Sequence, residues 1–470
     1  MKLKTVYRCQ QCGQASMKWA GQCPGCGAWN TMVEEAEEVL SKKAAASRGL
    51  TDFSEAPVKL SEARAMKAEH AATGIAELDR ALGGGLVKGQ VVLLAGPPGI
   101  GKSTLTLESC AALASGAYKA GKVLYVSGEE SLAQVGGRAE RLGARCDNVY
   151  LMSETNLARI IEEFRSIKPS FLVIDSIQTV YHPEFVGSPG SVGQIRECAS
   201  ELLKTVKSAG VPLFVLGHVT KEGSLAGPKV LEHIVDTVLY FDAEKNNAFR
   251  VLRPHKNRFG PVDETGIFEM TSTGLRSVDD AGLLLAESDR DRALAGRAFA
   301  IAFEGARPML AEIQALAARS YLPYPRRTVT GLDLNRAQML IAALEKNVGL
   351  RFDEMDVFAS LAGGIKLKDS ALDLAFCAAL VSSAKDIALP PDCLFMGEVG
   401  ILGTATSPGF LDRRLSEAER LGFKTVFVPR LPKKDEGRFK GLRLEVVRDM
   451  GGLYAAIAKL EPARAGGKKE

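Results

Sequence analysis

Val91 to Leu107 reads VVLLAGPPGIGKSTLTL: an apolar run of buried-strand type, a glycine-rich loop, then a run of helix formers. The loop residues Gly96, Pro97, Pro98, Gly99, Ile100, Gly101, Lys102, Ser103 and Thr104 carry the G-x-x-x-x-G-K-[ST] phosphate-binding pattern, with the required strand before it and helix after it. Glycines let successive backbone N–H groups curl round an anion, and the following helix points its positive end at the same phosphates. Lys102 is expected to reach the β- and γ-phosphates, and Ser103 to offer its hydroxyl to the Mg²⁺ that bridges them. The stretch predicts a nucleoside triphosphate site in an α/β domain.

Downstream, strand-like and helix-like runs alternate, the pattern of a mostly parallel sheet. Lys122 to Ser127 ends at Gly128, Glu129 and Glu130; Phe171 to Ile174 ends at Asp175; Pro212 to Leu216 ends at His218. All three put polar groups at the carboxyl edge, where an open α/β sheet binds its ligand. Asp175 is the expected second Mg²⁺ partner, opposite Ser103. Ser176 stands where many ATPases carry a catalytic glutamate, so the water-activating base must come from another strand. Glu129 is the first candidate and its neighbour Glu130 the alternative. His218 reads either as a γ-phosphate sensor or as a structural hydrogen-bonding group. Two loops rich in Gly, Pro and Ser, Tyr181 to Gly193 and Lys221 to Lys229, leave the same edge near Arg196, Lys221 and Lys229.

Upstream, Cys9, Cys12, Cys23 and Cys26 form two C-x-x-C knuckles separated by ten residues. That spacing suits a closed tetrahedral Zn²⁺ site of four thiolates, which would fold a ribbon too small to hold itself together. Trp19 and Trp29, the only two tryptophans in the chain, flank the second knuckle. We read them as the ribbon's miniature core, an exposed stacking surface being the alternative. The other five cysteines are scattered singly and read as small core residues. From Glu34 to Glu69 the chain turns to Ala, Glu, Lys and Ser, a linker composition. The reading divides the chain into a zinc ribbon (1–33), a linker (34–69), a nucleotide-binding domain (70–282), a second α+β domain (283–463) and a tail (464–470).

Composition adds exclusions. With 46% hydrophobic residues, 25% charged residues and a net charge of +4 over 470 residues, there is no global basic field. Nucleic-acid binding would have to come from local loops. No apolar run is long enough to span a bilayer. The N-terminal MKLKTVYRCQQCG reaches its cysteines before any signal-peptide core could form, so the expected location is cytoplasmic, with no membrane partner.

The knuckles with Lys18-Trp19 and Cys23-Pro-Gly-Cys26, the segment from Thr73 to Asp79, the GPPGIGKST loop and Lys256-Asn-Arg-Phe-Gly260 together resemble the bacterial RadA/Sms DNA-repair family, nearly end to end. The resemblance implies a RecA-like, DnaB-related ATPase core in a homo-oligomeric ring, usually a hexamer. Such a ring hydrolyses ATP, moves on single-stranded DNA and extends branched recombination intermediates, with a RecA-type recombinase as partner. It places Glu129 where RecA-like enzymes keep their water-activating glutamate, on the strand beside the phosphate loop, and makes the two loops candidate DNA contacts. Lys256 and Arg258 resemble paired basic fingers inserted into a neighbour's nucleotide site. From about Leu283 onward the chain resembles the Lon proteolytic domain, but Ala371 aligns with the nucleophilic serine and Asp412 with the partner lysine, Ser370 standing next door. The implied domain is an inactive protease fold serving as scaffold and DNA-contacting surface.

The thiolates should be the ribbon's main source of stability. Metal analysis of the purified chain is expected to give about one Zn²⁺ per chain. Cys23→Ser or Cys26→Ser should lose it with local unfolding, while the ATPase domain stays folded.

Overall fold

The computed structural model describes residues 3–38, 59, 69–115, 121–144, 146–185, 187–218, 229–243, 249–278, 292–362, 366–430 and 439–460. Most of the expected linker, the second glycine-rich loop up to residue 228, and the tail lie outside the described residues. Two compact units result: Met1–Ala243 with Ala248–Asp279, and Glu244–Asn247 with Asp280–Glu470. Among the described residues no helix is long and apolar enough to cross a membrane.

The ribbon is a three-stranded antiparallel sheet of β1 (Leu3–Cys9), β2 (Ala15–Ser16) and β3 (Met32–Glu38), in the order β2-β1-β3. β3 overruns the boundary expected at residue 33, because its pairing with β1 continues from Cys9↔Met32 to Leu3↔Glu38. Cys9, Cys23 and Met32 form the small core, with Tyr7 and Cys12 packed against it. Trp19 and Trp29 do not: they are 59% and 69% exposed, which corrects the miniature-core reading. The buried centre is made of the thiol cluster and one methionine, and the indoles lie outside it.

The nucleotide-binding part of the first unit alternates as expected. α1 (Ala76–Leu82) precedes β4 (Val91–Gly96), α2 (Lys102–Ser115), β5 (Val123–Ser127), α3 (Leu132–Arg141), β6 (Val149–Ser153) and α4 (Leu157–Ile167). Then come β7 (Phe171–Asp175), α5 (Val192–Ala209), β8 (Leu213–His218), α6 (Lys229–Ile234) and β9 (Thr237–Asp242), with β10 (Phe249–Asn257), β11 (Gly266–Thr271) and β12 (Gly274–Ser277) last. The nine strands run in the order β12-β11-β10-β9-β4-β8-β7-β5-β6. β9 through β6 in that order are parallel, and β10 to β12 add antiparallel hairpins at one edge.

Every residue of β4, β5 and β7 is buried, as expected of a parallel sheet covered on both faces. One face packs Leu93, Val126 and Ile174 under α4 and α5; the other packs Leu94, Tyr125 and Phe214 with α1 and α2. The strand order also corrects one expectation. β5, which carries Glu129 at its end, does not lie beside the phosphate-loop strand β4; β8 and β7 stand between them.

The second unit is built on a seven-stranded mixed sheet, in the order 327–330, 355–361, 307–319, 297–304, 393–395, 425–428, 443–446. With it come α7 (Leu334–Val348), α8 (Asp373–Lys385), α9 (Leu411–Arg420) and α10 (Met450–Ala458). α8 is buried from Asp373 to Ser382. Just before it, Ala371 is fully buried in a single 3₁₀ turn, while Ser370 donates its hydroxyl to Glu398 at 3.2 Å. Asp369 pairs with Arg414 at 2.8 Å and Asp373 pairs with Arg336, so the carboxylates around this turn are held as buried ion pairs. Asp412 lies in the first turn of α9.

Asp236 is a buried charge that joins several elements of the first unit. It is 2% exposed; Oδ2 accepts from the Val91 amide at 3.0 Å and from Lys207 Nζ at 2.7 Å, and Oδ1 accepts from Arg258 at 3.3 Å. It thereby ties the start of β4 to the end of α5 and the end of β10. Removing one partner of a buried pair leaves the other charge uncompensated. Asp236→Ala is expected to destabilise this unit by about 3–5 kcal/mol, read as a lowered midpoint of its denaturant unfolding transition.

Candidate nucleotide site and metal centre

The carboxyl ends of β4, β8, β7 and β5 meet at one edge because the strands are parallel and in register, Gly96 opposite His218 and Asp175 opposite Ser127. Lys102, Glu129, Asp175 and His218 come together there; Lys256 and Arg258 do not.

Steric closeness dictates the loop's glycines. A Cβ on Gly96 would lie 2.4 Å from the Phe241 carbonyl oxygen, and Gly101 has φ +114° with a Cβ position 2.9 Å from Met270. Pro97, Pro98 and Gly99 are exposed while Ile100 is buried, so the loop's tip faces outward and its base is pinned. Ser103 and Thr104 follow in the first turn of α2, half-buried. Lys102 is 4% exposed, and its Nζ donates to Gly96 O at 2.8 Å, to Pro97 O at 3.0 Å and to His218 Nδ1 at 3.3 Å. Burial lowers its pKa to about 8, against the opposing pull of Asp175 and Glu129.

Lysine can only donate, so His218 Nδ1 is an acceptor and its Nε2 carries the proton. That Nε2–H lies 3.0 Å from Glu129 Oε1, which also accepts from Ser176 Oγ at 2.5 Å. The His218 hydrogen bond is the largest cause holding the Glu129 carboxyl down, to about 2, and Ser176 adds to it against partial burial. Glu130 has a different partner: Arg138 grips it with both guanidinium nitrogens, at 2.5 and 2.7 Å.

Asp175 is buried and accepts from the Tyr125 hydroxyl at 2.5 Å. Burial, reinforced by the carboxylate, pushes the Tyr125 phenol well above its ordinary value, so it remains a donor. Ser103 and Asp175 offer hard oxygen ligands of the kind Mg²⁺ takes, so the residues present fit that ion. Sequence reasoning missed Tyr125 and Arg138, and it gave Ser176 no contact with Glu129. A lone tyrosine in an aliphatic strand and an arginine two turns along the helix after Glu130 were the available signals.

Lys256-Asn-Arg-Phe-Gly260 folds as a clasp. Lys256 Nζ donates to the carbonyls of Glu232, His233 and Val235, at 2.7, 3.3 and 2.7 Å, closing the C-terminus of α6. Asn257 donates to Leu82 O at 3.0 Å at the end of α1, where a Cβ on Gly260 would meet Gly83 Cα at 2.8 Å. The Arg258 side chain is 56% exposed and rests on Asp236.

The four cysteines of the ribbon bring their Sγ atoms within 4.8 Å of one another, with Cys9 and Cys26 at 3.7 Å and Cys12 and Cys23 at 3.5 Å. Tetrahedral zinc with Zn–S near 2.3 Å requires S···S distances of about 3.8 Å, so the cluster fits the ion. Backbone N–H groups of Gln11 and Gly25 point at Cys9 and Cys23 Sγ at 3.4 Å, the donors that thiolates need.

Comparison with known proteins agrees with this arrangement. An AAA domain matches residues 57–224, and a rubredoxin metal binding domain matches residues 7–34. The DNA repair protein RadA of Bacillus subtilis is 45% identical over 434 residues, covering 91% of this chain and 93% of that protein. Its counterpart in Listeria monocytogenes is 43% identical, covering 93% and 94%. A KaiC-like protein from Pyrococcus horikoshii, 20% identical, overlays 45% of this chain and 99% of its own with a TM-score of 0.37. With two knuckles, a phosphate-loop core and near-full-length identity at this level, the chain belongs to the RadA family of DNA repair proteins.

Proposed function

We propose that the chain is a DNA-dependent ATPase of ring-motor type that acts on single-stranded DNA in homologous recombination and repair and drives branch migration of recombination intermediates. The observation that carries this reading is the chain of contacts from Lys102 through His218 to Glu129. It links the phosphate-binding lysine to a carboxylate free of any arginine, on the edge where the strands end. Lys102 holds the β- and γ-phosphates, Glu129 orients and deprotonates the attacking water, and His218, touching both, senses the γ-phosphate. Ser103 and Asp175 would hold Mg²⁺, with Tyr125 fixing the Asp175 carboxylate, and the bound ion would supply positive charge at the phosphates. DNA, branched intermediates and a RecA-type recombinase are the proposed partners, in the cytoplasm.

Arg258 supports an assembled ring, a homo-hexamer by family resemblance. Its amide bonds Asp236 O, and the Asp236 amide bonds Val91 O at the start of β4. Gly96, at the other end of β4, is about 17 Å away at 3.3 Å per residue. A guanidinium on that side reaches phosphates only in another copy, with Lys256 anchoring the turn that presents it. In the second unit, buried Ala371 offers no nucleophile and Asp412 no lysine, so no peptidase activity is proposed.

ATP turnover measured with and without single-stranded DNA tests the reading. Turnover should rise with DNA and vanish in Lys102→Ala; DNA-indifferent turnover would point to a regulatory ATPase instead. Glu129→Gln should bind ATP but hydrolyse it about 10²–10⁴-fold more slowly, and full activity in that variant would move the base to Glu130.

The Lys102 value near 8 gives a pH dependence with a definite sign. Phosphates favour the ammonium form, so binding above pH 8 must take up a proton and affinity falls as pH rises. Between pH 8 and 9 the dissociation constant for ATP should grow about fivefold by linkage, whereas between pH 6.5 and 7.5 it should stay nearly flat at this group.

Mixing Arg258→Ala chains, whose loops are intact, with Lys102→Ala chains, whose Arg258 is intact, should restore part of the lost turnover. Absence of any recovery under proven subunit exchange rules out action in trans.

A further inference from the structure

The two tryptophans remain without a role in the site above. We propose that Trp19 and Trp29 form a stacking platform for the bases of a single-stranded nucleic acid, a second contact outside the ATPase domain. The inference rests on the reading that this chain engages single-stranded DNA.

The two rings share one surface. A Cβ built on Gly21 would lie 3.7 Å from Trp19 Cη2 and 3.7 Å from Trp29 Cζ3, so both indoles border this one glycine. The backbone fixes the arrangement: Asn30 N donates to Gly21 O at 2.8 Å, and Gln22 bridges to Trp29. Both rings are more than half exposed, and Met17, 55% exposed, precedes the exposed Lys18 beside Trp19. The ribbon's own core is complete without them. Large flat surfaces held in water by a rigid turn favour a flat partner, and every base presents a π-face.

Charge does not oppose a nucleic acid here. Between Leu3 and Val33 there is no Asp or Glu, and the charged side chains are Lys4, Arg8 and Lys18. Acidic residues begin at Glu34 in the sequence, and the backbone register leads away from the knuckles, from Cys9↔Met32 to Leu3↔Glu38, about 20 Å along the strand. Within residues 3–33 a phosphate chain crossing the tryptophans therefore meets no acidic side chain. Four thiolates on a divalent ion carry a formal charge of −2, which offsets most of the three cations. Stacking, more than phosphate attraction, is then the main contribution, and it should depend little on salt.

Because the chain has only these two tryptophans, selective tryptophan excitation reports on the platform alone. The zinc-loaded full-length chain, with a non-hydrolysable ATP analogue, is titrated with an end-labelled oligodeoxythymidine. Label anisotropy and tryptophan emission are followed together. The expected result is quenching in parallel with the anisotropy rise, and a loss of affinity on the order of tenfold in Trp19→Ala and in Trp29→Ala with zinc content unchanged. Trp19→Phe and Trp29→Phe, which keep a ring, should bind nearly as the parent. Anisotropy that rises while emission stays constant overturns the platform and leaves the DNA reading standing; no anisotropy change at any concentration overturns both. Emission that responds to a purified recombinase but not to the oligonucleotide also overturns it, in favour of a protein-docking surface. If an alanine variant loses its zinc, the parent's emission response decides the matter alone.

Discussion

Lys102 has three N–H bonds to give and, in the chain by itself, three acceptors to receive them. A buried ammonium with an unmet donor would be costly, so the loop carbonyls and His218 stabilise the site before any nucleotide arrives. They also set the terms of binding, because a phosphate must replace at least one of these acceptors. The one it can displace most readily is His218 Nδ1, the longest of the three contacts and the only side chain among them. Since the same ring holds Glu129 through Nε2, a γ-phosphate that took its place on Lys102 would change the environment of the proposed base. Nothing in this coupling needs a large motion. It follows from the parallel register that sets Gly96 opposite His218.

What the sequence made legible was whatever depends on local chemistry. The phosphate loop, the polar strand ends Glu129, Asp175 and His218, and the two cysteine knuckles all stand where residue type and spacing put them. What it hid depended on tertiary neighbours. Glu129 and Glu130 are adjacent and chemically alike, and only Arg138 at 2.5 Å separates them. Tyr125 reads as one more apolar residue of a buried strand until Asp175 appears beside its hydroxyl. The tryptophans misled because apolar bulk usually goes inside, but here the core is made of thiols and Met32, and the indoles lie outside it. The strand order was out of reach, since alternation predicts a parallel sheet without saying which strands are neighbours.

The turn before α8 in the second unit is held by charge. A helix N-terminus favours negative charge, and here Asp369 and Asp373 occupy it, each held by a buried or half-buried arginine from another element. Asp369 further accepts from the amides of Ala371 and Phe303, and Asp373 from that of Val399. With those contacts made, the turn closes over the methyl group of Ala371, fully buried.

The same logic bears on Arg258. Its anchor, Asp236, is buried and also accepts from the Val91 amide and from Lys207, so it cannot swing toward the loop. Lys256 is committed to three carbonyls at the end of α6, and Asn257 and Gly260 lock the turn onto α1. The backbone under Arg258 is thus held rigidly at the amino edge of the sheet, one full strand length from its own phosphate loop. Flexibility of the side chain alone does not cover the length of β4. A rigid base with a half-exposed guanidinium is nonetheless what a contact between subunits requires, because orientation relative to the neighbour is then set by packing and not by a mobile loop. Hydrolysis that waits for this contact would make the ATPase dependent on assembly.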